Sequence, residues 1–198
     1  MVILIGGVGY AGKTHMAQRL LELYHYPYLS IDHLKMGICR ADPGCGFTPL
    51  DSTEHIGEKL WPILKGIIMT NIENNQNIII EGIYLLPQRI SELPEEYLRE
   101  TVSFYLGFSD SYIERYFQSR ILRNRCVIET RDEHADPMED YIRENRLERA
   151  YCAVHGGKFF EIREDYEGEM NAVYAWLDGE VSRIRRSNYC VLCENPRE

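Results

Sequence analysis

Positive charge is scarce in this chain: 22 lysines and arginines stand against 31 acidic residues, a formal net charge of −9 over 198 residues. That balance excludes general attraction to nucleic acid and leaves room only for a local basic site. Long apolar runs are missing too. The longest are strand-length or are broken, as by Lys65, so no segment is expected to span or anchor in a bilayer. Residues 1–5 are too few for a secretory signal and lack its basic start, so a cytoplasmic protein is expected. Repeats and low-complexity tracts are absent, and the length suits one domain, expected over 1–186 with 187–198 as a C-terminal tail. The six cysteines lack a zinc pattern: Cys190 and Cys193 form a close pair, yet no second such pair accompanies them. Cys39, Cys45, Cys126 and Cys152 are expected as reduced thiols in the same way.

What the chain does have is concentrated at its start. Val2 to Ile5 is an apolar run of strand length, and Gly7-Val8-Gly9-Tyr10-Ala11-Gly12-Lys13-Thr14 follows it with every position of a nucleoside-triphosphate phosphate loop. Glycines let the backbone curl so that successive N–H groups point at one phosphate cluster, and the following helix adds its positive end. In such a loop Lys13 reaches the β- and γ-phosphates and Thr14 gives its hydroxyl to Mg²⁺. ATP and Mg²⁺ are therefore the expected ligands.

Farther along, a β-rich run from Tyr26 to Ile31 ends in Asp32, and Asn77 to Ile80 ends in Glu81. Ligands of open α/β sheets bind beyond the carboxyl ends of strands, so both acids are site candidates. Asp32 also suits the cap of a short helix over His33–Ile38, and Glu81 a surface ion pair. Glu81 is otherwise expected to hold Mg²⁺ through water or to orient the acceptor hydroxyl. Gly and Pro make Ala41–Leu50 an irregular loop, and Asp51-Ser-Thr-Glu54 has capping-box spacing ahead of a helix bent at Pro62. This region, about 33–75, is expected to cover an acceptor. Thr101–Phe108 reads as a fourth strand, Lys158–Ile162 as a fifth, and Ser111-x-x-Glu114 as a helix start. Asp136-Pro137-Met-Glu139 opens another helix, and Met170 to Ile184 carries the apolar stripe of a last one. Between them Arg115, Arg120, Arg123, Arg125 and Arg131 mark a lid over about 115–136 that offers planar forks to phosphate, with Arg120 and Arg123 on one helix face. The nearby acids also fit an ordinary solvated charge mixture.

Tyr28-Leu-Ser-Ile-Asp-His-Leu-Lys-Met-Gly37 resembles the second-strand segment of zeta-toxin-like and 2-phosphoglycerate kinase-like proteins. Ile79-Ile-Glu-Gly-Ile-Tyr-Leu-Leu-Pro87 is similar to the third-strand segment of 2-phosphoglycerate kinases, with Tyr84 where many of them have His, and its Glu-Gly also occurs in uridine kinase-like enzymes. The resemblance implies a three-layer α/β/α P-loop fold, a five-stranded parallel sheet in the order 2-3-1-4-5, and an arginine-bearing helical lid. It implies a kinase for a hydroxyl of a small molecule, 2-phosphoglycerate-like among the options, with Asp32 activating the acceptor and Lys13, Arg120 and Arg123 serving transfer. Arg125 joins the phosphate-loop residues as a nucleotide contact. A nucleotide-sugar kinase restrained by an antitoxin-like partner, and a uridine kinase-like enzyme, are alternatives. A nucleotide-dependent switch is another, although the chain lacks the Asn-Lys-x-Asp and Leu-Ser-Gly-Gly-Gln motifs of two switch and transporter classes.

Overall fold

The computed structural model describes residues 1–123 and 137–194, with side chains followed to residue 186. Five parallel strands form one sheet in the order β2-β3-β1-β4-β5. They are β1 (Val2–Gly7), β2 (Tyr28–Ser30), β3 (Ile78–Glu81), β4 (Thr101–Phe108) and β5 (Lys158–Ile162). Their alternation sorts the side chains into two cores. Ile3, Ile5, Ile79, Phe104 and Leu106 face α1 (Lys13–Tyr24), α6 (Asp110–Tyr116) and α8 (Tyr166–Glu194). Val2, Leu4, Ile80 and Tyr105 face α3 (Thr53–Glu73) and the end of α7 (Met138–His155). This is the three-layer arrangement and strand order that the resemblance implies. Both faces of the sheet are covered, which is why its strands read as continuous apolar runs.

Several boundaries differ from the sequence reading. The second strand stops at Ser30, and Ile31 already begins α2 (Ile31–Ala41). Asp32 is therefore neither a strand end nor a helix cap; it sits in the first turn of α2, where a carboxylate meets the positive helix end. Ser52, rather than Asp51, caps α3, its hydroxyl accepting from His55 N at 3.2 Å, while Asp51 accepts from Thr48 N at 2.8 Å. The helix runs unbroken through Pro62. Ser109, rather than Ser111, caps α6 by accepting from Tyr112 N at 3.1 Å. Two one-turn helices, α4 (Pro87–Ile90) and α5 (Glu95–Leu98), fill the connection to β4, and α6 passes into a π-helical turn over Phe117–Leu122. In α8, Met170, Val173, Leu177, Val181 and Ile184 are buried as their spacing predicts, and the helix continues through residues 187–194, which the sequence reading assigned to a tail. No helix among the described residues is long and apolar enough to cross a membrane.

Candidate active site at the carboxyl end of the sheet

The phosphate-loop sequence leaves β1 and is shaped at once by its neighbour strand. Val8 N donates to Leu106 O at 3.1 Å, so the chain turns tightly against β4 at Gly7. Gly7 has φ +110°, and a Cβ there would lie 2.1 Å from Leu106 O. Gly12, at φ +90°, occupies the left-handed position just before α1, and a Cβ there would meet the Tyr166 hydroxyl at 2.1 Å. Both positions need glycine for physical reasons, not merely for pattern.

Side chains from distant elements take the loop's carbonyls. Lys13, 7 % exposed, folds back so that Nζ donates to Val8 O at 2.5 Å. The Tyr141 hydroxyl, from α7, donates to Gly9 O at 2.5 Å, and the Tyr166 hydroxyl, from α8, to Ala11 O at 3.4 Å. Tyr141 and Tyr166 also belong to an aromatic group with Phe108 and Tyr112 that supports the loop from below. With these carbonyls engaged, the loop is held in its curl, and the first-turn N–H groups of α1 have no partner inside the helix. The geometry is that of an anion cradle with one buried ammonium group.

The strand register brings one acid, Glu81, to the end of β1 that leads into that cradle. Ile5 pairs with Glu81 and Ser30 pairs with Glu81, so the end of β3 lies between those of β1 and β2. Glu81 is 2 % exposed and shares its face of the sheet with Ile5 and Ile79, the α1 side. Ser30 Oγ, buried on the same layer, has no hydrogen-bond partner among the described residues. A buried carboxylate, an orphaned hydroxyl and the Thr14 hydroxyl at the start of α1 are an oxygen donor set, which suits a hard cation such as Mg²⁺ that keeps several waters. No three His, Cys, Asp or Glu side chains converge on a point among the described residues.

Asp32 belongs to a small network not visible in the sequence. Lys35 Nζ donates to Asp32 Oδ1 at 3.0 Å and to the Tyr84 hydroxyl at 2.7 Å. Burial works against the Lys35 charge, but the hydrogen bonds it donates to Tyr84 and Asp32 outweigh it and the ammonium is held above its ordinary range.

A second unanticipated residue is Glu148. In α7 the positions Tyr141, Asn145, Glu148 and Cys152 fall at helical spacing along one stripe, and the other three are buried. Asn145 Oδ1 accepts from Phe108 N at 2.8 Å, which fixes that stripe against the end of β4. Glu148 thereby faces inward. Burial first, and the Glu54 charge second, push its carboxyl up to about 7, against the opposing pull of Lys13. The stripe was legible in principle, but an acid within it does not announce which end of the sheet it faces.

The pH consequence has a definite sign. Because the folded protein binds this proton more tightly than the unfolded chain, stability is lost as pH rises from 4.5 to about 7. Glu148→Gln removes that loss. In nucleotide-free protein it is expected to be about as stable as wild type at pH 4.5 and more stable by about 1–3 kcal/mol at pH 8. Urea unfolding at both pH values measures this, and an equal difference at both would contradict it.

The lid region is described in part. Arg120 lies in the π-helical turn with its guanidinium 4.1 Å from the centre of the Tyr116 ring. Its hydrogen bond with Tyr112, and the more distant Asp165 charge, hold it above its ordinary value. Arg123 caps the same turn and is exposed. Their three-residue spacing was read on α-helical geometry, and the wider π turn offsets them around the axis. Arg125, Arg131 and Cys126 lie outside the described residues. Cys39 and Cys45 are free, half-buried thiols.

This sheet order and loop define the class of α/β phosphate-loop folds. No protein-family model matches the chain, and no curated protein sequence matches it. Solved structures do. A candidate kinase from Chloroflexus aurantiacus J-10-fl is similar at 18 % identity, over 90 % of this chain and 97 % of that one, with a TM-score of 0.52. The shikimate kinase of Aquifex aeolicus is similar at 15 % identity, over 91 % of this chain and 98 % of that one, with a TM-score of 0.49. At such identities the likeness is one of fold.

Proposed function

We propose that this protein is an ATP-dependent phosphotransferase that moves the γ-phosphoryl group to a hydroxyl of a small-molecule acceptor. The observation that carries the reading is a cradle holding buried Lys13 at the same end of the sheet as two acids, Glu81 at the end of β3 and Asp32 in the first turn of α2, the helix that follows the neighbouring strand β2. The candidate kinase among the similar folds supports it, and the Ile79–Pro87 resemblance makes 2-phosphoglycerate the first acceptor to try. Bound Mg·ATP supplies the transferable phosphoryl group and offsets part of its charge.

The chain's own residues do the rest. Lys13 exchanges the Val8 carbonyl for phosphate oxygens, and the N–H groups of residues 9–14 hold those oxygens in line. Thr14 and Glu81 would hold the Mg²⁺, directly or through water, and Ser30 Oγ would add a further oxygen donor on that side. Asp32 orients the acceptor hydroxyl and accepts its proton. Arg120 and Arg123, with Arg125, offer charge to the group in flight, and residues 33–75 cover the acceptor. Such chemistry depends on positioning and electrostatics and forms no covalent enzyme intermediate. A supply of ATP makes the cytoplasm its place of work.

Asp32→Asn tests the assignment. Acceptor-dependent turnover is expected to fall by on the order of 10²- to 10⁴-fold, with affinity for a fluorescent ATP analogue changed less than about threefold. Unchanged turnover would remove Asp32 from the mechanism.

A further inference from the structure

We propose that Lys35 is a positioning residue for the acceptor step, its ammonium group anchored by the Tyr84 hydroxyl and holding the Asp32 carboxylate in one orientation. The inference rests on the phosphotransferase reading and adds to it the device that aims the acceptor-activating acid.

An ordinary Asp–Lys pair three residues apart on a helix is exposed, samples many rotamers and contributes little. This one differs on both sides. The Lys35 side chain is 11 % exposed and that of Asp32 is 32 % exposed, so the cation is shielded while the carboxylate keeps an open side. Tyr84, which is 5 % exposed, enters from the chain leaving β3, not from α2. Its hydroxyl accepts from Lys35 Nζ at 2.7 Å, and its ring centre lies 5.0 Å from the same atom. A contact from a separate element removes the rotameric freedom that makes surface pairs weak. The lysine stem is thus fixed to the strand layer, and Asp32 Oδ1 is fixed to the lysine at 3.0 Å. Among the described residues no hydrogen bond or ion pair engages the second carboxylate oxygen, in the first turn of α2 beyond the end of β2. A carboxylate that must meet an acceptor hydroxyl gains from such restraint, because misplacement by about 1 Å can cost on the order of a hundredfold in rate. Removing the aromatic hydroxyl alone would leave the ion pair intact but loose.

The test compares Lys35→Met, Tyr84→Phe, Asp32→Asn and the double variant Asp32→Asn/Lys35→Met in acceptor-dependent turnover. Lys35→Met is expected to lower kcat by about 10- to 100-fold, with KM for ATP within about twofold. The double variant should be no slower than Asp32→Asn, since Lys35 acts only through the carboxylate. Methylammonium should partly restore Lys35→Ala, and sodium should not, a recovery that loss of folding could not show. Multiplying losses in the double variant, or an unchanged kcat in Lys35→Met, would overturn the assignment. If Lys35→Met fails to unfold cooperatively, Tyr84→Phe carries the test: a several-fold loss of kcat that vanishes in the Asp32→Asn background supports it, and no loss overturns it. Absence of acceptor-dependent turnover in the wild type is seen before any variant and would overturn the phosphotransferase reading along with this inference.

Discussion

Replacing Lys13 by methionine is expected to lower acceptor-dependent turnover by on the order of a thousandfold, the scale seen when a charge-stabilising donor is lost from an enclosed site. Lys13 is 7 % exposed and its Nζ is placed at the loop's own carbonyl, so its charge is held inside the loop and largely shielded from solvent. Methionine keeps most of the stem and its packing. The fold should survive, at a cost of about 1–2 kcal/mol for the Val8 carbonyl left without its donor. A second consequence appears at Glu148, whose carboxyl the Lys13 charge pulls down. Without that charge its proton is held more tightly still. Circular dichroism and thermal unfolding would establish that the variant is folded, and a folded Lys13→Met enzyme with wild-type turnover would contradict the role.

Gly7→Ala has the largest expected effect on stability. At φ +110° an L side chain is strained, and the added Cβ would meet backbone atoms of Leu106, the oxygen at 2.1 Å and the nitrogen at 2.5 Å. Backbone in the middle of a sheet cannot move aside as a flexible side chain can. Strain and overpacking together are expected to cost about 3 kcal/mol or more, a large part of a typical domain's stability. For a chain of this length that lowers the unfolding temperature by about 6–12 °C. Gly9 is the internal comparison, because a Cβ there meets nothing within 4 Å. Gly9→Ala should unfold near the wild type, and equal unfolding temperatures for the two variants would refute the account of the loop.

These two glycines also mark what could be read from the sequence. A phosphate group is the same in every protein, and a loop that binds it through backbone N–H groups must place glycines and a lysine at fixed spacing. The turn from β1 into α1 over Gly7 to Thr14 was therefore legible as a shape, as were β4 and β5, whose runs coincide with the strands. Local competition blurred the rest. Ser52 and Asp51 are both good capping residues, and only the turn made by Asp51 with Thr48 decides between them. Ile31 is a strand-former by type but lies in α2, because the edge strand ends where β3 does. The acceptor side was least legible. Lys35 and Tyr84 meet across 49 residues, and Glu148 comes within range of the Lys13 charge from a helix that begins after the lid. Such contacts depend on how elements pack, which no spacing records.

The central claim is that the γ-phosphoryl group leaves ATP for carbon-borne oxygen, so the most direct measurement follows that group. The protein is mixed with [γ-³²P]ATP, Mg²⁺ and, in turn, 2- and 3-phosphoglycerate, nucleosides, nucleoside monophosphates, sugars and nucleotide sugars, with Lys13→Ala as the blank. The account predicts that one class of acceptor takes up label as a phosphomonoester in step with ADP release, and that the blank gives none. Label released only as inorganic phosphate, or tight ATP binding with no transfer while a partner protein is held only in the triphosphate state, would contradict it.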